Sequence, residues 1–225
     1  MKIINPPILH LFLHFIFLNC SPATEFQLKE GDILFQDSDC GPFCDAIEAV
    51  TQGIDHYNFS HVGLVMKDSN NQLKVMEAIS KGVVLTPLDS FLQRSFDAEN
   101  RPKVIVGRLN KKYTPLIPEA IAFIHSKMNA QYDAVFDINN DKYYCSELIH
   151  LAFQSANNNT PIFTEQPMTY KSPNTNQTFP IWEAYFKALN TEIPEGKPGL
   201  NPGGMSRSKY ITIVHRYGEP SKQHP

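Results

Sequence analysis

Lys142-Tyr143-Tyr144-Cys145-Ser146-Glu147-Leu148-Ile149 is the stretch on which the fold and the chemistry of this chain turn. It follows a polar turn at Asn139, Asn140 and Asp141. It runs into an apolar repeat in which Leu148, Ile149, Ala152 and Phe153 share one face at helical spacing. The spacing predicts a helix whose first turn carries Cys145. The start of a helix presents unpaired N–H groups and the positive end of the dipole, which favour a thiolate over a thiol, and the thiolate is the nucleophile. The competing reading is a small buried hydrophobe, since free Cys is among the most buried residue types.

Upstream, residues 59–66 and 73–79 read as two central strands joined by a polar turn at 68–72. Side chains alternate along a strand, so His61 shares a face with Gly63 and Val65, and Glu77 with Val75 and Leu73. A hairpin centred on Ser69 sets His61 directly opposite Glu77, within reach of an imidazole–carboxylate hydrogen bond. Gly63 would leave open space beside the imidazole for a helix start. The expected constellation is Cys145 as nucleophile, His61 as base and Glu77 as the group that orients the base. The backbone N–H of Cys145 would line an oxyanion hole. Tyr144, Ser60 and Asp32 are candidates for shaping the substrate pocket.

The other polar residues have plainer readings. His56 precedes a strand and reads as surface, and His125 and His150 read as solvated residues on helices. His215 reads as an exposed residue at a strand end, and Asp133 as a loop cap. A zinc site of His56, His61 and Glu77 lacks a recognised ligand spacing, so no metal or cofactor is expected.

Strands are also expected at 30–36, 83–86, 103–109 and 210–214, and helices at 45–51, 118–128 and 181–189, with a helical turn at 88–94. The strands fall close together as hairpins, with helices between groups. This pattern favours an α+β fold with an antiparallel sheet over a doubly wound parallel one. Residues 25–220 read as a single domain. Within it, 155–208 is loop-rich, with Pro194, Gly196, Pro198, Gly199, Pro202, Gly203 and Gly204 close together.

The chain has 225 residues and a net charge of −3, so nothing in its charge draws it to nucleic acid. Residues 1–20 read as a signal peptide, with Lys2 ahead of an apolar run over 8–18. Cys20 after Asn19 is a candidate for lipidation of the lipoprotein type, which would anchor the protein to a membrane; the alternative is secretion with cleavage near 21–23. Either way the chain is expected to work outside the cytoplasm. Cys40 and Cys44 are either a disulfide or two thiols at a helix start. Cys145 is left single, which flags it as reactive in an exported protein.

The blocks Gly31-Asp32-Ile33-Leu34-Phe35-Gln36, Phe59-Ser60-His61-Val62-Gly63-Leu64-Val65, Val75-Met76-Glu77-Ala78 and Tyr143-Tyr144-Cys145-Ser146-Glu147-Leu148 resemble the YiiX/YebB-like cysteine hydrolases. These form the permuted branch of the NlpC-type papain-fold superfamily. The resemblance covers roughly residues 28 to 155. It implies a circularly permuted papain-like fold, with the sheet packed against the Cys helix and the order His61, Glu77, Cys145. It also implies an amidase or peptidase acting on peptide or cell-wall-peptide amides, which together with the expected signal segment makes an exported enzyme of the bacterial periplasm or cell envelope. Relatives that move acyl groups on lipids make a lipid acyltransferase or esterase the alternative. A module that only holds a peptide or cell-wall fragment is the remaining possibility.

Overall fold

The computed structural model describes residues 25–222. Six strands form one antiparallel sheet: β1 (Ile33–Gln36), β2 (His61–Lys67), β3 (Leu73–Ile79), β4 (Gly82–Pro87), β5 (Val104–Leu109) and β8 (Ile211–Arg216). Their spatial order is β4-β3-β2-β1-β5-β8, so the last of these strands closes one edge. Two short strands, β6 (Gln166–Pro167) and β7 (Pro198–Gly199), pair separately. Six α-helices lie among the described residues: α1 (Pro42–Glu48), α2 (Leu88–Leu92), α3 (Ile117–Ser126), α4 (Cys145–Ala156), α5 (Pro180–Ala188) and α6 (Pro202–Ser206). The architecture is α+β, as the hairpin pattern predicts. Among the described residues no helix is long and apolar enough to cross a membrane.

Period-two alternation divides the core between the two faces of the sheet. Val62, Leu64 and Met66 of β2, with Met76 and Ala78 of β3, pack under α3 and α4 through Ile124, Leu148, Ile149, Ala152 and Phe153. The opposite face holds Leu34, Val65, Val75, Val104 and Val106 around Phe91 of α2.

The β2–β3 hairpin differs from its expected register. Leu64 faces Met76 and Val65 faces Val75, so the hairpin pivots on Asn70 rather than Ser69. Asp68 N–H donates to Gln72 C=O, which leaves a three-residue loop ending at Asn71 with φ of 60°. A three-residue hairpin loop needs a left-handed residue at that point, and Asn tolerates it. The Asp68 carboxylate accepts from the N–H groups of Asn70 and Gln72 and fixes the turn. A shift of two preserves the face. Glu77 falls opposite Gly63, one diagonal step from His61, and still on its side.

The segment after α4 is more ordered than its proline and glycine content implies. Tyr170, Trp182 and Phe186 bury themselves with Ala46 of α1, flanked by Phe43, Phe136 and Tyr185. The rings meet edge to face, as between Tyr170 and Trp182 at 5.1 Å between centroids. What reads as one long loop over 190–208 contains β7 and α6. In α6, Asn201 caps the first turn by accepting from Gly204 N–H at 2.6 Å.

Candidate active site

Cys145 opens α4. Tyr144 before it has extended backbone (φ −95°, ψ 170°), and its N–H donates to the Glu147 carboxylate at 3.0 Å. Glu147 thus serves the start of the helix as the acidic member of a capping box does. Burial, with Asp133 and Asp137 nearby, pushes the Glu147 pKa up to about 8, against the effect of the Tyr144 N–H bond. The first bond of the helical ladder runs from Leu148 N–H to Tyr144 C=O, so the N–H groups of Cys145, Ser146 and Glu147 precede it. The Cys145 thiol is free and 8% exposed.

His61 is the first residue of β2. Its Nε2 lies 2.6 Å from Glu77 Oε2. With Nε2 donating there, Nδ1 is the nitrogen left for a second partner. Glu77 is fully buried and held from several directions. Arg94 donates from Nη1 to Oε2 at 2.7 Å and from Nη2 to Oε1 at 2.6 Å, and Thr86 Oγ1 donates to Oε1. Burial alone would raise the Glu77 carboxyl, but Arg94 and His61 overcome it and pull its pKa down to about 2. For His61, burial opposes the charged ring. Interaction with the Cys145 sulfur and the Glu77 carboxylate outweighs that, and the pKa is pushed up from 6.5 to about 9. The carboxylate on one side and the sulfur on the other thus both favour the charged ring.

Cys145 and His61 line one open cleft of about 1020 Å³, together with Ser60, Arg94, Tyr132 and Phe43. A narrower cavity of about 110 Å³ adjoins it and shares Cys145, Ser60, Ile47 and Tyr132. Ser60, a candidate from sequence, sits in both walls, and its Oγ accepts from Ser38 N–H at 3.0 Å. Tyr144 lies behind the walls; its hydroxyl accepts from Leu200 N–H at 3.1 Å and ties the 198–202 segment to the start of α4. Ser146 Oγ donates to the carbonyl of the same Leu200.

Asp32 corrects the sequence reading. It precedes β1 at the end away from Gln36, the residue that pairs with His61. Its carboxylate accepts two 2.7 Å bonds from Arg108 and one from Lys29 N–H. A carboxylate so occupied, outside both cavities, is a structural clamp. The space expected beside Gly63 is also filled differently. A Cβ there would lie 2.4 Å from Val75 Cγ1 and 3.2 Å from Phe91, so the α2 face occupies it rather than the start of α4.

Cys40 and Cys44 are joined by a disulfide and line the rim of the wide cleft. Cys20 and the rest of the expected signal segment lie outside the described residues. His56 is exposed with Nδ1 2.7 Å from Gln52 Nε2, and Asp133 accepts from Val135 and Asp137 N–H as a loop cap. His150 is a second correction. It is buried, 3.4 Å from Glu165, because the segment after α4 folds back over a helix face that the repeat leaves polar. His215 stacks on Phe26 at 4.1 Å. Arg94, Thr86 and Tyr132 escape the sequence reading. For Arg94 the signal was available in principle: a Glu in an apolar strand requires a cation, and Arg94 is the next basic residue after Lys81.

The model of the family described as "Permuted papain-like amidase enzyme, YaeF/YiiX, C92 family" matches residues 27–215. The Escherichia coli (strain K12) protein named "Uncharacterized protein YiiX" is 28% identical over 136 residues, which span 60% of this chain and 62% of that protein. The match therefore covers less than two thirds of that relative. The crystal structure of metalloprotein yiiX from Escherichia coli O157:H7 superposes with a TM-score of 0.68 at 22% identity, over 86% of this chain and 99% of that one.

Proposed function

This chain belongs to the permuted papain-like amidase family C92, and from that premise we propose that it is an exported cysteine amidase using Cys145, His61 and Glu77 on peptide or cell-wall-peptide amides. The observation that carries the reading is the 2.6 Å His61–Glu77 bond with Glu77 locked by Arg94, on the same cleft as the free thiol at the start of α4. Export draws on the apolar run within residues 1–20 and on the Cys40–Cys44 disulfide, a bond that persists in oxidising compartments.

The chemistry runs in two balanced steps. The sulfur of Cys145, its proton held by His61 Nδ1, attacks the amide carbon. A C–S bond forms, and the carbonyl electron pair moves onto oxygen, facing the N–H groups at the start of α4. As the carbonyl reforms, the C–N bond breaks and the imidazolium gives its proton to the departing nitrogen. Water then attacks the thioester, with His61 taking its proton; the C–S bond breaks and its electron pair stays on sulfur, which restores the starting pair of sulfur and protonated His61. Glu77 keeps the ring oriented and balances its charge, and Arg94 keeps Glu77 ionised throughout.

The likeness to a protein titled a metalloprotein raises a bound metal. The residues here do not fit one. Glu77 already takes bonds from Arg94, Thr86 and His61, and the described residues contain no cluster of three or more ligands. No step is routed through a metal.

The test is alkylation of Cys145 by iodoacetamide at pH 6. His61→Ala is expected to slow it at least about tenfold, because an isolated thiol is almost wholly protonated there. Equal rates in the two proteins overturn the reading.

A further inference from the structure

The two cavities that meet at Cys145 differ in size and in their reach to His61, and the difference assigns the two ends of a substrate. His61 lines the wide cleft, whereas the narrow cavity reaches Cys145 without touching His61. In the reaction proposed above, the departing nitrogen takes its proton from His61, so the amine must leave through the wide cleft. The acyl group stays on the sulfur and must sit away from His61. The narrow cavity is the space available on that side. Its apolar wall comes from Ile47 of α1 and Val50 just after it, Phe136 from the loop before α4, and Met168, Trp182 and Leu200 from the segment after α4.

Resting on that reading, we infer that the narrow cavity is the acyl-side subsite and that it takes one apolar group the size of an aliphatic side chain. A long lipid chain would fit in it only in part. The cavity measures about 110 Å³, less than the engineered cavity of roughly 150 Å³ that admits benzene. Four to six carbons are therefore about its capacity. The chemistry is that of an acyl group bearing a branched aliphatic tail, from an aliphatic side chain at the cleaved position or from a short N-acyl group. The segment 166–202 thereby gains a role, since it supplies the far wall and sets the length that fits.

The test is a series of 7-amino-4-methylcoumarin amides with acetyl, butanoyl, 4-methylpentanoyl and decanoyl groups, joined by N-acetyl-leucyl and N-acetyl-glycyl amides. Each methylene fully removed from water is worth about fourfold. The expected kcat/KM rises at least about tenfold from acetyl to 4-methylpentanoyl and falls again at decanoyl. The leucyl-to-glycyl ratio separates the two sources: a ratio above about ten assigns the pocket to a peptide side chain, and a ratio near one to a short N-acyl group. Val50→Phe, which fills the cavity, is expected to bring the 4-methylpentanoyl-to-acetyl ratio below about two, and Met168→Ala, which enlarges it, to shift the optimum to a longer chain. A flat series, a preference for decanoyl, or a Val50→Phe protein that keeps the wild-type ratio overturns the assignment. If alkylation of Cys145 still depends on His61 in that event, the amidase reading survives and only the subsite falls. If that dependence is lost, both fall.

Discussion

The sheet side of the cleft is held by charge. His61 of β2, Thr86 of β4 and Arg94 just after α2 all bond to the Glu77 carboxylate of β3, which is left little freedom. The opposite wall is held by rings: Trp182, Tyr170, Phe186 and Phe136 pack edge to face, Phe43 lies tilted against Trp182, and Tyr144 and Ser146 tie Leu200 to the start of α4. The contrast teaches where each kind of force is useful. Proton transfer needs atoms fixed to within tenths of an ångström, and hydrogen-bonded groups on strands supply that. A binding wall needs shape and dryness, and packed aromatic rings supply those while tolerating change.

Substitutions on the two sides should therefore fail in different ways. The largest effect is expected on the sulfur and its base. Cys145→Ala and His61→Ala should each lower amide turnover by roughly 10⁴-fold, with the double variant no worse than either alone, because the pair acts as a unit. Circular dichroism melting close to wild type would place the loss in chemistry.

Glu77→Gln should cost about 10³-fold in kcat and also lower stability, since it removes the fully buried carboxylate that pairs with the Arg94 guanidinium. Arg94→Met should share the stability loss but cost only about tenfold in rate. Equal rate losses in the two would break the distinction between orienting the base and supporting the residue that orients it.

On the ring side, Trp182→Ala should remove about 3–5 kcal/mol of stability by leaving a void in the cluster. The His61-dependent alkylation of Cys145 should persist in the folded fraction. Loss of that dependence would mean that the two walls are one cooperative unit.

The smallest effect is on pH. His61 has a raised pKa, so its contribution to stability is complete below about 6.5 and is lost as pH rises through about 9. Glu147, also raised, acts in the same direction, its contribution present below about 4.5 and lost through about 8. Glu77 acts oppositely, and its contribution fades only as pH falls from about 4.5 through about 2. Tm should therefore decline between pH 7 and 9.5, less steeply in Glu147→Gln, and turnover should show an alkaline limb near pH 9.

Much of the sheet side was legible because strands and hairpins write themselves as short-range patterns. Alternation places His61 and Glu77 on one face, and that conclusion survives the two-residue slip because a slip of two conserves parity. The slip itself lies in the left-handed Asn71, which pattern alone does not reveal. The start of α4 was legible from its apolar stripe. The ring side was not, because its order comes from contacts between α1 and α5, more than a hundred residues apart, rather than from any local repeat. His150 misled for the same reason: its burial is conferred by a segment that returns from elsewhere in the sequence. Asp32 misled because a motif position is not a place, and its partner Arg108 stands on a different strand.

The placement of β8 beside β5 has a bearing on how the molecule is made. Among the described strands the first, β1, lies inside the sheet and the last, β8, at its border, so until β8 is made β5 offers an open row of donors and acceptors to any passing strand. The permuted order delays the thiol until most of the sheet exists and delays the border longer still. A nascent chain that stops short of residue 211 would carry its full reactive set but a sticky rim, and self-association rather than lost chemistry would be its characteristic fault.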